Sequence, residues 1–186
     1  MGGFHPAVRR RTAVTSIRIL ALECRVTDEV SDFVQQYLAH GDEWARSLYE
    51  AVGRVTVSGA AVEGALFSLA MQLAPSDDLY GARIDKLRSV IENNRGELSR
   101  NHRKLCAQLL GRASDALRRR NFVVHLAWNT IPFHQGQHLG VGIRKAPSGQ
   151  GLLGSMKSTK ELQDLGAELH DVAASISTLQ HNIATA

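Results

Sequence analysis

The sequence has few of the features that mark secreted or membrane-spanning proteins. Its 186 residues include only two cysteines, Cys24 and Cys106, which lie far apart and form no CxxC pair. This usage argues against a disulfide scaffold and suits a reducing cytoplasm. The longest apolar run, residues 55–73, is interrupted by Glu63, which favours a buried helix over a membrane span. We therefore expect a cytoplasmic protein without a transmembrane segment.

Motifs for cofactors and metals are also missing. The glycines of residues 136–154 form neither a GxGxxG fingerprint nor a phosphate loop, and we find no nucleophile elbow or kinase motif. His134 and His138 are four residues apart, which is a zinc-ligand spacing on a helix. Gly136 lies between them, however, and no third ligand is evident. We expect neither a cofactor nor a metal ion.

The chain divides into a short basic tail and one domain. Residues 1–27 mix Gly, Pro and Arg without a helical or strand period, and they hold five arginines against one acid. We predict a flexible N-terminal tail there, and the apolar stretch within it is interrupted too early for a signal peptide. Residues 28–186 contain no internal repeat and suffice for one ordinary domain.

Apolar residues recur every three or four positions in four segments of this domain, which is the pattern of amphipathic helices. The predicted helices cover residues 42–73, 79–93, 97–128 and 158–183. The last opens with a capping box formed by Ser158 and Glu161. Residues 129–145 alternate weakly and contain three glycines, which predicts a β-hairpin, followed by a loop at 149–154. The predicted fold is therefore mainly α: an antiparallel helical bundle with a small β-hairpin insertion before the last helix.

Basic residues concentrate in the third predicted helix. Residues 95–125 hold eight Lys or Arg against two acids. Such a concentration of positive charge suits the attraction of a polyanion to one place on the surface. On charge alone, a solvated helix face with no ligand explains the pattern equally well.

The segment RNFVVH, from Arg120 to His125, places a guanidinium, an amide and an imidazole near the end of this helix. Asn121 and His125 are four residues apart and share a helix face, so the amide can hydrogen-bond the imidazole and orient it. Asn121 also interrupts the apolar stripe that runs through Leu117 and Val124. Alternatively, these side chains cap carbonyl groups or complement the helix dipole, without a catalytic role.

The same segment resembles the motif of the HEPN family, an arginine followed by Asn or Asp, with a histidine four to six residues after the arginine. Arg120, Asn121 and His125 match this motif, and the helical layout of residues 42–184 is similar to the family's bundle. Leu126 departs from the pattern, since relatives often have a small residue there. The resemblance implies a homodimer in which two motifs face each other across a cleft and cleave RNA without a metal ion.

The residue types suit the activity that the resemblance implies. A neutral His125 would take the proton of a ribose 2′-hydroxyl, whose oxygen would attack the adjacent phosphate. Arg120 would bind the phosphate and stabilise its developing charge, while Asn121 would orient the imidazole. The resemblance further suggests a toxin of a toxin–antitoxin or phage-defence system, with an antitoxin or a nucleotidyltransferase as a partner.

Other residues are predicted to support this site. Glu63 is the lone charge in an apolar segment, so we expect it to have a partner, either Arg120, His125 or a backbone or surface group. The candidate RNA-binding residues are basic side chains of the third predicted helix: Arg103, Lys104, Arg112, Arg118 and Arg119. Two other functions stay open. One is a non-catalytic nucleic-acid or nucleotide-binding module that uses the same basic helix, and the other is a structural dimerisation bundle.

Overall fold

Four α-helices and three β-strands make up the part of the chain that the computed structural model describes, residues 12–132, 138–146 and 152–186. The helices are α1 (Thr12–Leu73), α2 (Ile84–Asn94), α3 (Arg100–Val124) and α4 (Thr159–Ala184). The strands are β1 (Ala127–Pro132), β2 (His138–Lys145) and β3 (Leu152–Lys157). The predicted mainly helical class, with a small β segment before the last helix, is confirmed.

The core lies between α1 and α4, and α3 packs against both. Each helix contributes one face of large buried side chains: Leu48, Val55, Leu66 and Leu69 from α1 and Leu162, Leu169, Ile176 and Leu179 from α4. The buried residues of α4 follow the spacing predicted for the last helix, and the capping box of Ser158 and Glu161 is present. Removing these apolar faces from water is the main favourable contribution to folding.

α1 begins well before the predicted start at residue 42. Residues 12–27 are helical, so the expected lack of regular structure is wrong for this part, while residues 1–11 lie outside the described residues. Val34 and Leu38 are exposed, and the first buried side chain among those described is Trp44. Residues 12–27 lack the apolar spacing of three and four residues on which the helix prediction rested, which is why hydrophobic periodicity missed this extension.

One stretch of α1 is apolar enough to draw attention. By length and composition alone, Leu38–Leu73 qualifies as a helix that could cross a membrane, within the part of the chain that was searched. The core helix of a soluble bundle passes the same test. Val55, Val62 and Leu66 of this stretch are fully buried in the core, and 44% of its most apolar window is buried in all.

The β segment is a three-stranded antiparallel sheet in the order β1-β2-β3, where a single hairpin was predicted. Part of the predicted loop at 149–154 is wrong, because residues 152–154 begin β3. Gly140 and Gly142 in β2 lie close to Trp128, whose ring atoms would be 3.1 Å from a Cβ at either glycine. These glycines let β2 pack closely against the side chains of neighbouring elements, and they weakened the alternation on which the hairpin prediction rested.

α3 ends at Val124, four residues before the predicted end, and this end positions the RNFVVH segment. The Trp128 indole Nε1 donates to the Val123 carbonyl at 2.8 Å, so a side chain from β1 adds to the backbone hydrogen bond that this carbonyl accepts from Leu126 at the helix end. His125 is the C-cap residue, with φ −97° and ψ 8°. The four-residue spacing of Val124 and Trp128 predicted a further helical turn. The chain instead turns after Val124 and enters strand β1, which contains Trp128.

Candidate functional site

Arg120 is the arginine that α3 directs toward α1. Its side chain is 16% exposed, against 44% for Arg119 and 79% for Arg118. Gly59 of α1 makes this approach possible, because a Cβ there would lie 2.7 Å from Arg120 Nε. Nε itself is buried and has no hydrogen-bond partner within the described residues. The Arg120 side chain thus occupies space that any other residue at position 59 would fill.

The Arg120 guanidinium connects Glu63 of α1 to Asn121 of α3. Its Nη1 donates to Asn121 Oδ1 at 2.9 Å and to Glu63 Oε1 at 3.4 Å. Of the partners predicted for Glu63, the structure shows Arg120. The Glu63 side chain is 39% exposed, so solvent screens the ion pair, and its main effect is to orient the guanidinium. No partner is found for Nη2 among the described residues, which leaves one donor edge for a ligand.

Asn121 and His125 are both exposed at the C-terminal end of α3. The prediction that Asn121 interrupts the buried stripe is therefore wrong. Arg120 and Val123 are the residues of this turn that face the interior. In the described part of the structure, no hydrogen bond joins the Asn121 amide to His125. The arrangement differs from the predicted one: the amide orients the guanidinium of Arg120 and not the imidazole.

A groove of about 730 Å³ lies beside these residues, between α1, α2 and α3. Its polar lining comes from all three helices and includes Glu63, Arg83, Asp85, Arg88, Ser114, Arg118 and Asn121. Arg88 Nη1 donates to Ser114 Oγ at 2.9 Å, which fixes this guanidinium against α3. Three arginines and two acids line the groove. Two of these arginines are paired, Arg88 with Glu92 and Arg118 with Asp115, and Glu63 is paired with Arg120. Among the described lining residues, Arg83 is thus the arginine that keeps its guanidinium without an ion pair.

The predicted RNA-binding arginines nearest the motif are held by acidic residues. Arg112 pairs with Asp171 of α4 at 2.7 Å, and Arg119 pairs with Glu168 of the same helix. The hydrogen bond to Glu168 raises the pKa of the Arg119 guanidinium. Arg118 pairs with an aspartate one turn earlier on α3 but keeps most of its side chain exposed. Of these three, only Arg118 lines the groove beside Asn121.

Arg103 and Lys104 lie near the other end of α3. Both are exposed, and neither makes an ion pair within the described residues. Seventeen residues of helix separate Arg103 from Arg120, which corresponds to about 25 Å. The structure therefore places these two predicted RNA-binding residues apart from the motif, beside a shallow depression that Arg95 also lines.

No cluster of three or more His, Cys, Asp or Glu side chains suited to a metal ion is found among the residues that the structure describes. His134 lies outside those residues, and His138 begins strand β2, so the pair does not share a helix.

Comparison of the chain with known proteins gives no match to a family model, to a curated protein or to a solved structure.

The structure adds residues that the sequence analysis did not select for function. Gly59 is the residue of α1 that gives Arg120 its place, and a glycine within an apolar helical run was its only signal. Arg83 and Arg88 join the groove through the packing of α2 against α1 and α3. No spacing rule connects them to the motif, since they lie more than thirty residues before it.

Proposed function

We propose that the protein is a HEPN-like, metal-independent endoribonuclease. The proposal includes the role of a toxin in a toxin–antitoxin or phage-defence system, with an antitoxin or a nucleotidyltransferase as partner. One observation carries it: Arg120 is oriented by Glu63 and Asn121 at the end of α3, and the exposed His125 lies one helical turn beyond. The guanidinium, 16% exposed and directed toward α1, and the exposed imidazole thus belong to the same end of α3.

The chemistry needs only these groups and the substrate. His125 takes the proton of a ribose 2′-hydroxyl, and the oxygen forms a bond to the adjacent phosphorus. The bond from phosphorus to the 5′-oxygen breaks, and that oxygen takes up a proton from solvent water, to which the His125 imidazolium afterwards returns its own proton. The free Nη2 edge of Arg120 donates to the phosphate as negative charge develops on it. The products are a 2′,3′-cyclic phosphate and a 5′-hydroxyl.

A second candidate function is RNA binding without cleavage. It is favoured by the surroundings of His125, which has no side-chain hydrogen bond among the described residues, so none of these residues fixes the imidazole. A base that must meet a ribose hydroxyl in a defined geometry is usually oriented by a neighbour. In the ribonuclease proposal, the second copy of the chain or the bound RNA supplies that orientation.

The test is cleavage of RNA in the presence of EDTA. The purified wild-type protein should cut total RNA, while His125→Ala and Arg120→Ala should lose most of the activity with unchanged helical circular dichroism. Arg46→Ala is the matched control, since it removes an exposed arginine of α1 away from the groove and the RNFVVH segment and should cleave nearly as the wild type does. Full activity of His125→Ala would contradict the mechanism. RNA binding by a wild type that does not cut would establish the second candidate.

A further inference from the structure

An exposed aromatic pair lies at the rim of the groove. Tyr80 is 68% exposed, and its ring centroid lies 5.5 Å from that of Phe67, with the ring planes tilted by 53°. Phe67 itself lines the groove. Gly81, with φ +70°, follows Tyr80 and turns the chain toward α2, a conformation that glycine adopts without strain. The tyrosine ring is thus supported by Phe67 while most of its surface stays open to a ligand.

Donors for phosphate lie beside this ring. Arg83, three residues after Tyr80, is exposed and makes no ion pair within the described residues. It is also the N-cap of α2 and supplies no side-chain cap, so the backbone N–H groups of Ile84 and Asp85 are further donors, beside the Asp85 carboxylate of the same turn. Arg88 and Arg118, each paired with an acid on its own helix, continue the line of guanidinium groups along the groove toward Asn121.

The combination of an open aromatic ring with a line of guanidinium groups is typical of surfaces that bind single-stranded nucleic acid. A base stacks on the ring regardless of its identity, and the arginines follow the phosphates. Paired RNA is a poorer fit, because its bases are stacked inside the helix and have no free face for a tyrosine.

We infer that the groove binds a single-stranded segment of RNA, with one base stacked on Tyr80 and phosphates bound by Arg83, Arg88 and Arg118. From this groove the strand passes Asn121 and reaches Arg120 and His125. The inference rests on the proposed ribonuclease function, and it names single-stranded RNA as the substrate class. It also names Tyr80 and Arg83 as substrate-binding residues outside the RNFVVH segment.

The experiment measures binding by fluorescence anisotropy, with a labelled single-stranded RNA of about 12 nucleotides and full-length protein carrying His125→Ala to prevent cleavage. Tyr80→Ala should raise the Kd by about fivefold or more through loss of stacking, whereas Tyr80→Phe should leave it nearly unchanged. Arg83→Ala should raise the Kd. It should also reduce the slope of log Kd against log salt by about 1, which is the change expected when one phosphate contact is lost. Met156→Ala, at an exposed apolar position on β3, and Arg46→Ala, at an exposed arginine of α1, are controls that should bind normally.

The outcomes separate this inference from the proposed function. Equal Kd values for Tyr80→Ala and Tyr80→Phe would overturn the inference that the groove binds single-stranded RNA. Duplex RNA that competes as well as the single strand would also overturn it, and so would the absence of any RNA binding. A Kd that depends on Tyr80 supports the groove even if the chain with intact His125 cuts no RNA, a result that would reject the ribonuclease alone. If that chain does cut, Tyr80→Ala should raise the KM for short single strands more than it lowers kcat.

Discussion

At the residue scale, the place of Arg120 depends on the absence of a side chain at Gly59. A Cβ at this position would lie 2.7 Å from Nε and 2.9 Å from Cγ of Arg120. Atoms in the middle of a largely buried side chain cannot move aside as freely as the end of an exposed one. The contacts of Arg120 with Glu63 and Asn121 therefore depend on a glycine in the facing helix.

Substitution of this glycine gives the first prediction. Gly59→Ala should displace the guanidinium and lower RNA cleavage by about tenfold or more, because small misplacements of a catalytic group are costly. Gly111→Ala in α3 is the matched control, since a Cβ built there meets no atom within 4 Å beyond its own helix backbone and chain neighbours. It should keep full activity and gain up to about 1 kcal/mol of stability from helix propensity. Equal activity of the two variants would show that Gly59 does not position Arg120.

At the scale of secondary-structure elements, the parts predicted correctly are those with local signals. Signals that act within a few residues predicted both helix ends: Pro75 follows the end of α1, and Ser158 caps the start of α4. The predicted stripe of α3 is correct at Leu109, Ala113 and Leu117, which are buried. It is wrong at Leu105, which is 39% exposed, while its neighbour Cys106 is buried instead. From Leu117, steps of three and four residues lead to Arg120 and Asn121, and both are polar. Which of the two lies on the buried face depends on where α1 packs, and the sequence does not show this. The stripe was therefore predicted to continue through Asn121.

The N-terminal extension of α1 gives the second prediction. Deletion of residues 1–27 should leave the melting temperature nearly unchanged, because this segment of the sequence has no aligned apolar stripe with which to pack on the core. Trp44→Ala in the full-length chain is the comparison, and it should lower stability by about 3 kcal/mol, the cost of truncating a core aromatic residue. A large fall in melting temperature on deletion would show that the extension packs on the domain.

At the scale of the whole molecule, an apolar stripe on α1 is left uncovered. It consists of exposed small and apolar residues on one helix face: Gly53, Val57, Ala60, Ala61 and Gly64. Val57 is 72% exposed, and Gly64 at the end of the stripe lines the groove beside Glu63. A second copy packed on this stripe would bury apolar surface next to the groove, as expected for an interface in a symmetric dimer.

The third prediction is a homodimer in solution. Light scattering at micromolar concentration should give twice the chain mass of 20.3 kDa. Val57→Glu should shift the protein toward monomer, since it places a charge in the apolar interface, while Met156→Ala on β3 should leave the dimer intact. A wild-type chain that is monomeric at this concentration would contradict a cleft built from two motifs.

The central claim is that His125 and Arg120 direct attack of a ribose hydroxyl on the neighbouring phosphate. The most direct measurement maps a cleavage site in a defined single-stranded RNA in EDTA, then repeats the reaction with one 2′-deoxynucleotide on the 5′ side of that site. The account predicts a 2′,3′-cyclic phosphate end on the unmodified RNA and no cut at the modified position, with cleavage elsewhere retained. Cleavage at the 2′-deoxy position, or a requirement for magnesium at the unmodified site, would contradict it.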